Sequence, residues 1–375
     1  MNKNIELSQE LRELLEYVQS LFSKEVWVVG GCVRDIVMNN TPKDYDFCTK
    51  CTPEEIKGQL KGKHKAILIG EKHGTIMFHA KGKEIEITTL RKEIYTKQDG
   101  RKPIVSYDGV TIEQDLSRRD YTINSMCINC TNFKLTDPYN GREDIKNGLI
   151  KCVGIAKHRF KEDPLRILRG IRFAARYGFE FEKVTLARIK DMSYSLLRIS
   201  KERWVMELDK ILLDKNVYLG LKMLWECNIF KFIIPELQLQ WKYDQNSRYH
   251  NLELWEHTTK VVESAQKAGE PIEMLWSCLL HDIGKPATRT DKEILVPTPS
   301  GPVGYLNKKT IKSNYVFHEL VGGEIAYKIC TYLKFSKDRT TFIVDMIRHH
   351  LEKDCPLKIY DDQHKSKLAG ELDKK

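Results

Sequence analysis

Residues 26–47, VWVVGGCVRDIVMNNTPKDYDF, decide the fold of the N-terminal part of the chain. Four apolar residues followed directly by two glycines predict a strand that ends in a tight turn. The next segment has a helical pattern and carries Arg34, and the chain then returns as a second strand bearing Asp44 and Asp46. A strand, a turn, a short helix and a second strand in this order predict an α/β domain.

Two carboxylates in the returning strand suggest a metal site. Asp44 and Asp46 are separated by one residue, so on a strand both side chains point to the same face. Hard oxygen ligands at this spacing suit Mg²⁺, and Glu86 is a candidate third carboxylate from a neighbouring strand. Such a cluster of negative charge is unfavourable unless a cation neutralises it.

The glycine pair before the helix suggests a phosphate site. Gly30 and Gly31 allow backbone N–H groups to approach a phosphate closely, and Arg34 supplies positive charge. Together with a metal site, these features indicate phosphoryl or nucleotidyl transfer. Taken singly, each motif is also compatible with a solvated strand end or a simple turn.

The composition limits the partners of the protein. The chain has 375 residues, enough for two or three domains, and 62 basic against 52 acidic residues give a net charge of +10. This excess favours a polyanionic partner, with nucleic acid ahead of a membrane surface. The sequence lacks an apolar run of about 18 residues and a signal-peptide pattern. We therefore expect a cytoplasmic protein, and the sequence gives no indication of its oligomeric state.

Four regions follow one another along the chain. Short β-rich runs alternate with turns in residues 1–150, which predicts an α/β domain. Residues 151–240 have a helical pattern rich in arginine, residues 245–355 form a helical segment with several histidines, and residues 356–375 form a charged tail. The predicted architecture is thus an α/β head followed by an all-α neck or body and an all-α C-terminal domain.

Four of the ten cysteines form two pairs with a spacing that is typical of metal-binding sites. Cys48 and Cys51 form one C-x-x-C motif, and Cys127 and Cys130 form another. Zinc would require the four thiolates to come together. We favour reduced cysteines of a cytosolic protein.

The order of motifs resembles that of the class II tRNA nucleotidyltransferase and poly(A) polymerase family, whose head has a polymerase-β-like fold. The matching motifs after the opening stretch are EITTLR (86–91), DGRKP (99–103), RRDYTINSM (118–126), DPYNGREDI (137–145), KEDPLRILRGIRFAARYGF (161–179) and ERWVMELDKIL (202–212). Several motifs in the right order make coincidence remote.

The resemblance implies a role for each matching residue. Asp44 and Asp46 would hold catalytic Mg²⁺ ions, with Glu86 as a further catalytic carboxylate. The nucleotide-binding residues implied by the family are Gly30, Gly31, Arg34, Arg118, Arg119, Asp120, Asn124, Asp163, Arg166, Arg169 and Arg172. Among these, Arg169 and Arg172 would reach phosphates, and the residues from Arg118 to Asn124 would contact the sugar and phosphates.

In this family, Asp163 and Arg166 would select the incoming base. Cytosine and adenine each present an amino donor beside a ring-nitrogen acceptor. A carboxylate that accepts and a guanidinium that donates would match these two bases and reject uracil and guanine. The structural alternative is that Asp163 caps a helix that begins at Pro164, and that Arg166 pairs with Glu162.

A local motif separates two activities within the family. Residues 68–79, LIGEKHGTIMFH, resemble the G-x-x-H-G-T form of CCA-adding members at His73 and Gly74, whereas the polymerases carry a different form there. We therefore expect CCA addition rather than poly(A) synthesis. Residues 91–109 include the flexible loop of the family, and they leave full CCA addition, C-only addition and A-only addition open.

The third region resembles the HD family of metal-dependent phosphohydrolases over about residues 245–355. The candidate ligands of a transition metal are His257, His281, Asp282, His318 and His349. His250 and His350 are possible substitutes among these ligands. Lys285 is a candidate phosphate contact or helix C-cap.

The resemblance implies a tRNA nucleotidyltransferase that adds C, C and A to the 3′ end of tRNA. CTP and ATP would be its substrates, pyrophosphate its product, and no nucleic-acid template would be needed. The acceptor stem of tRNA would be its partner. Two alternatives are a poly(A) polymerase, and an HD phosphohydrolase whose N-terminal part only binds RNA.

Overall fold

The computed structural model describes residues 6–69, 74–94, 104–246, 252–299 and 305–364. The chain divides into two compact units. Residues 1–166 and 179–188 form the first unit, and residues 167–178 and 189–375 form the second.

The first unit contains strands and short helices in alternation. Its strands are β1 (Val26–Val29), β2 (Tyr45–Thr49), β3 (Ile67–Ile69), β4 (Thr75–Ala80), β5 (Lys83–Thr89), β6 (Lys92–Ile94), β7 (Ile104–Ser106), β8 (Cys127–Asn129), β9 (Leu135–Thr136), β10 (Leu149–Ile150) and β11 (Glu180–Phe181). Its helices are α1 (Gln9–Ser20), α2 (Gly31–Val37), α3 (Pro53–Leu60), α4 (Ile112–Ser117), α5 (Gly141–Lys146) and α6 (Ala156–Glu162), with a 3₁₀ turn at Thr122–Asn124. The chain passes between the two units three times: within α7 (Leu165–Tyr177), between α7 and β11, and within α8 (Lys183–Met192).

A seven-stranded mixed sheet organises the head, in the order β3-β4-β5-β2-β1-β8-β9. Strands β2 and β5 run parallel, and β1 pairs antiparallel with both β2 and β8. Side chains of β1 alternate between two apolar clusters: Val26 and Val28 belong to one, Trp27 and Val29 to the other. Burial on both faces explains why the sequence of β1 is apolar throughout rather than alternating.

The second unit is mainly helical. After a 3₁₀ segment at Ser193–Arg198, its helices are α9 (Lys201–Leu212), α10 (Val217–Glu226), α11 (Phe230–Ile233), α12 (Pro235–Gln238), α13 (Leu254–Lys267), α14 (Ile272–Leu280), α15 (Lys285–Thr288), α16 (His318–Tyr332), α17 (Lys337–His349) and α18 (Pro356–Asp362). Strands β12 (Thr290–Pro299) and β13 (Tyr305–Asn314) form an antiparallel hairpin. Trp204, Trp225 and Trp276 are among the largest fully buried side chains.

The predicted fold class is confirmed, with one addition. The head is an α/β domain and the following regions are helical, but the hairpin of β12 and β13 lies within the segment predicted to be all-α. Its sequence alternates weakly between polar and apolar residues, which gave no clear strand signal. Among the described residues, none of the helices combines the length and apolar character needed to cross a membrane.

Candidate active site and histidine cluster

The turn between β1 and α2 requires glycine at its first position. Gly30 has φ +69° and ψ −131°, a conformation that residues with a Cβ rarely adopt. A Cβ on Gly30 would lie 2.8 Å from Nη1 of Arg119 and 3.8 Å from Oδ2 of Asp46. The backbone of Gly30 therefore packs directly against a cation and a carboxylate of the candidate site.

Parallel pairing of β2 and β5 brings two of the predicted carboxylates together. Asp46 and Glu86 are register partners on these strands. Asp44 is exposed and lies one residue before β2, so it flanks the strand instead of belonging to it. Burial and the negative charge of Asp44 raise the pKa of Asp46, although Arg119 offsets part of this effect. Burial and the charge of Asp46 likewise raise the pKa of Glu86.

These pKa shifts give a test of whether the carboxylates suit a metal. A carboxylate whose ionised form is destabilised by burial and by a neighbouring negative charge is one that a divalent cation would stabilise, and oxygen ligands suit Mg²⁺. The donor set of Asp44 and Asp46 therefore fits Mg²⁺. Asp46 and Glu86 both line a cavity of about 140 Å³, together with Thr75, Thr88 and Arg119.

A buried carboxylate that the sequence analysis missed holds the two predicted arginines. Asp115 Oδ1 accepts hydrogen bonds from Nη2 and Nε of Arg118 at 2.7 and 3.0 Å, and Oδ2 accepts one from Nη2 of Arg119 at 3.1 Å. Glu93 pairs with Nη1 of Arg118 at 3.2 Å and with Nε of Arg91 at 3.2 Å. An acidic residue three and four positions before two arginines is the signal that would have found Asp115.

The structure also brings together the residues predicted to contact phosphate and sugar. Arg34 is buried and donates a hydrogen bond from Nη1 to Oδ1 of Asn124 at 2.6 Å. The amide of Asn124 donates to Oδ1 of Asp120 at 3.3 Å. Arg34 also pairs with its neighbour Asp35 at 2.8 Å. These contacts fix the guanidinium of Arg34 on the same segment that carries Arg118 and Arg119.

The two residues predicted to select the base make the contacts of the structural alternative. Arg166 donates from Nη1 to Oε2 of Glu162 at 2.8 Å, and from Nη2 to the main-chain oxygen of Arg118 at 2.8 Å. Oδ1 of Asp163 accepts from the main-chain N–H of Leu165 at 3.1 Å, at the start of α7. Base selection by Asp163 and Arg166 stays a prediction.

Arg169 and Arg172 belong to the second unit. Arg172 is buried, and its Nε donates to Oε2 of Glu207 at 2.7 Å. The guanidinium of Arg169 lies 5.4 Å from the ring centroid of Phe173. The phosphate contacts predicted for these two arginines are not tested by these observations.

Several residues of interest lie outside the described part of the chain. They include His73, which distinguished CCA addition from poly(A) synthesis, and His250, one of the substitute metal ligands. Residues 95–103 of the family's flexible loop are also outside. Gly74 is described and has φ +63°, and a Cβ there would lie 3.0 Å from Cγ of Pro53.

Four of the predicted metal ligands meet in the second unit. Helix α14 is apolar and carries His281 and Asp282 at its C-terminal end into the interior. His257 projects from α13 and His318 is the first residue of α16; all four side chains are buried. Within the described residues, the groups of three or more side chains with metal-binding spacing are His257, His281 and Asp282, and Asp282, His318 and His350.

Asp282 joins the two groups through its two oxygens. Oδ2 lies 3.1 Å from Nε2 of His281 and 3.6 Å from Nε2 of His257. Oδ1 lies 3.3 Å from Nε2 of His318 and 3.9 Å from Nε2 of His350. Burial lowers the pKa of His257, and burial together with His281 lowers the pKa of His350 to about 4. Although burial favours the neutral form of His281 as well, the charges of Asp282 and Asp361 raise the pKa of this residue. Neutral imidazoles are therefore favoured at His257 and His350, and nitrogen donors beside a carboxylate fit a transition metal.

His350 takes the place in this cluster that was predicted for His349. The side chain of His349 is half exposed, and its Nδ1 lies 2.7 Å from Oε1 of Glu352. Helix α17 buries Ile343 and Ile347, and position 350 is seven and three residues beyond them, on the same face. Position 349 falls outside that face. The orientation of the buried face of α17 therefore determines which of the two adjacent histidines joins the cluster.

Two further side chains complete the cluster. Oδ1 of Asp361 lies 3.0 Å from Nε2 of His257, and Asp361 is buried in α18. Asp361 lies in the segment predicted to be a charged tail, because helix α18 is short and lies in a polar stretch. Nζ of Lys285 lies 2.6 Å from Oδ2 of Asp282 and donates to Oε1 of Gln245 at 2.9 Å.

The cysteine thiols lie in the interior of the protein. All ten are free and buried. Burial raises the pKa of Cys127 to about 12, so without a metal this thiol stays protonated. Reduced cysteines stay the preferred interpretation.

Three family descriptions match successive parts of the chain. The poly A polymerase head domain matches residues 26–151, the probable RNA and SrmB-binding site of polymerase A matches residues 178–240, and the HD domain matches residues 254–365.

Relatives of this chain include proteins named CCA-adding enzymes. One from Staphylococcus haemolyticus is 36% identical over 258 residues, which cover 69% of this chain and 63% of that protein. The chain therefore spans less than two thirds of the length of this relative.

Solved structures share the fold. The Thermotoga maritima CCA-adding enzyme complexed with tRNA has a TM-score of 0.63 at 21% identity, covering 93% of this chain and 72% of its own. The Bacillus stearothermophilus CCA-adding enzyme in complex with CTP has a TM-score of 0.56 at 22% identity, covering 95% and 82%. With a matching head, RNA-binding segment and HD domain in order, the chain belongs to the tRNA nucleotidyltransferase and poly(A) polymerase family.

Proposed function

We propose that the protein adds C, C and A to the 3′ end of tRNA, using CTP and ATP without a nucleic-acid template and releasing pyrophosphate. The observation that carries the proposal is the cavity where Asp46 and Glu86 face Arg119 beside the backbone of Gly30. Carboxylates for a metal and a guanidinium for phosphate are thereby within reach of one nucleoside triphosphate. The names of the relatives support CCA addition in particular.

The side chains of the head would have different roles in nucleotidyl transfer, which follow from their chemical groups. Asp44 and Asp46 would hold Mg²⁺, with Glu86 as the neighbouring carboxylate. When bound there, Mg²⁺ supplies positive charge that favours deprotonation of the attacking hydroxyl and stabilises the charged transition state. The remaining nucleotide-binding roles fall to Gly30, Gly31, Arg34, Arg118 and Arg119 at the triphosphate and to Asp120 and Asn124 at the sugar.

Base selection is proposed for Asp163 and Arg166. Their contacts to Leu165 and Glu162 hold both groups in defined orientations. A carboxylate and a guanidinium in fixed positions supply the acceptor and donor that match cytosine and adenine.

We propose that tRNA binding involves residues 151–240, with residues 1–150 as the catalytic head. The family match to an RNA-binding segment and the net charge of +10 support this assignment. Contacts to the phosphates of the acceptor stem should weaken as salt rises. A cytoplasmic location is proposed as well, because free and buried cysteines are typical of a reducing compartment.

We propose a second activity, phosphoester hydrolysis, for residues 245–355 together with Asp361. The supporting observation is the buried cluster in which Asp282 lies between two pairs of histidines. These residues would hold a divalent transition metal, which supplies an activated water when bound. Lys285, next to Asp282, provides a positive charge for a phosphate.

Product length on a tRNA transcript that lacks its last three residues tests the first activity. Extension by two residues with CTP alone and by three with CTP and ATP is expected, with none for UTP and GTP. A long ladder with ATP alone would identify a poly(A) polymerase, and absence of extension would refute nucleotidyl transfer.

The second activity is tested separately with Asp282→Ala. We expect this variant to lose hydrolysis of 2′,3′-cyclic nucleotides or terminal phosphates while it still extends tRNA. Asp44→Ala is the matched control and should show the opposite pattern. Hydrolysis that survives Asp282→Ala would refute the metal-cluster assignment.

A further inference from the structure

We infer that Asp115, supported by Glu93, is a positioning residue that holds Arg118 and Arg119 in place for the triphosphate. This inference rests on the proposed nucleotidyl transfer. Asp115 lies in α4 and is 1% exposed, and the sequence motifs gave it no role. A buried carboxylate is unfavourable without partners, so its contacts indicate what it does.

Each oxygen of Asp115 serves a different arginine. Oδ1 accepts two hydrogen bonds from Arg118 and one, at 3.3 Å, from the main-chain N–H of Arg91. Oδ2 accepts from Nη2 of Arg119 at 3.1 Å. An ionised carboxylate accepts at both oxygens, whereas an amide would place a donor against one of the two guanidinium groups. The geometry thus depends on a charged carboxylate at position 115.

The protonation state of Asp115 agrees with this geometry. Burial alone would raise its pKa, but Arg119 and Arg118 hold the pKa below its usual value. Asp115 therefore carries its negative charge across the neutral range.

The hydrogen bond to Oδ2 of Asp115 fixes the position of the guanidinium group of Arg119. With Nη2 held by Asp115, Nη1 of Arg119 lies against the backbone of Gly30, where its distance to the position of a Cβ would be 2.8 Å. Arg119 also interacts electrostatically with Asp46. Without Asp115, Arg119 would be free to pair with Asp46, and that pairing would remove a cation from the triphosphate and a ligand from the metal.

Glu93 provides a second point of support. It bridges Nη1 of Arg118 and Nε of Arg91, each at 3.2 Å, and its side chain is 10% exposed. Arg91, Arg118 and Arg119 all line the cavity that contains Asp46 and Glu86. These three guanidinium groups would repel one another in the cavity unless Asp115 and Glu93 separated and oriented them.

The experiment compares the full-length wild type with Asp115→Asn. Calorimetry measures binding of inorganic tripolyphosphate, CTP and ATP, and steady-state extension of tRNA gives KM and kcat. We expect the variant to bind all three anions about tenfold more weakly, a loss of about 1.4 kcal/mol. The loss should be independent of the base, because tripolyphosphate has none, and KM for tRNA should stay unchanged.

Asp209→Asn is the matched control. Asp209 pairs with Arg339 through two hydrogen bonds, at 2.7 and 3.1 Å, and belongs to the second unit. This variant breaks a similar ion pair and should lower thermal stability without changing the affinity for tripolyphosphate. A merely structural role for Asp115 predicts that both variants behave alike.

Three outcomes would overturn the inference. Equal tripolyphosphate affinity in the wild type and in Asp115→Asn would overturn it and leave the proposed function standing. Absence of tripolyphosphate binding by the wild type would overturn both. If Asp115→Asn does not fold, Glu93→Gln is measured instead, and a loss of less than about twofold in tripolyphosphate affinity there, well under the tenfold that equals 1.4 kcal/mol, would overturn the inference.

Discussion

Replacement of Gly30 by alanine tests whether the backbone of this turn forms one wall of the triphosphate site. The substitution adds a Cβ at φ +69°, and that atom would lie 2.8 Å from Nη1 of Arg119. Arg119 is itself held by Asp115, so its guanidinium cannot move away without losing a hydrogen bond. We expect Gly30→Ala to destabilise the head and to weaken nucleotide binding together.

The expected magnitude has two parts, and Gly82→Ala is the reference for backbone strain. Gly82 has φ +73° and open space around the position of a Cβ, so Gly82→Ala should cost only the backbone term of about 1–2 kcal/mol. Gly30 has ψ −131°, outside the left-handed helical region, so its own backbone term is about 1–3 kcal/mol, and displacement of Arg119 from a charge-assisted bond adds about 1.5–3 kcal/mol. The difference in stability between the two variants therefore includes backbone strain at position 30, and the difference in CTP affinity measures the effect of displacing Arg119.

Urea unfolding of both variants gives the free energy of unfolding, and calorimetry gives the affinity for CTP. Gly82→Ala should bind CTP as the wild type does, whereas Gly30→Ala should bind about tenfold more weakly, equivalent to about 1.4 kcal/mol. If the two variants bound CTP equally well, the placement of Gly30 against Arg119 in the triphosphate site would be wrong.

Three other predictions concern different parts of the molecule. Asn124→Ala removes the hydrogen bond that orients Arg34, and we expect KM for both nucleotides to rise by roughly tenfold, or about 1.4 kcal/mol, with kcat little changed. Asp361→Asn should lower the affinity of the histidine cluster for added Mn²⁺ by about tenfold or more, measured by calorimetry, while extension of tRNA continues. Glu207→Gln leaves Arg172 buried without its carboxylate and should cost about 3–5 kcal/mol in urea unfolding; a loss below about 1 kcal/mol would contradict burial of this pair.

The sequence indicated which carboxylates lie on neighbouring strands. Glu86 was a candidate from a strand next to that of Asp46, and the parallel pairing of β2 and β5, which the sequence did not predict, makes the two residues register partners. Asp44 shows the limit of that argument, since the strand begins one residue later. Strand ends are set by tertiary hydrogen bonding, and a two-residue repeat does not determine them.

Contacts between distant segments were the part that could not be predicted. Glu93 and Asp361 were missed because their partners, Arg118 and His257, are separated from them in sequence and meet only through folding. The exchange of His349 for His350 has a different cause. Both are in the same motif, and only the buried face of α17 distinguishes them.

Arg166 shows how a structural explanation and a functional one combine. Its bonds to Glu162 and to the main-chain oxygen of Arg118 satisfy a buried guanidinium, which is the structural explanation. The same bonds fix the plane of that guanidinium and join it to the segment proposed to bind the triphosphate. A side chain that reads a base without a template must present its donors in one defined orientation, because a mobile guanidinium would also adapt to uracil or guanine. The contacts that first argued against base selection therefore supply the rigidity that base selection needs.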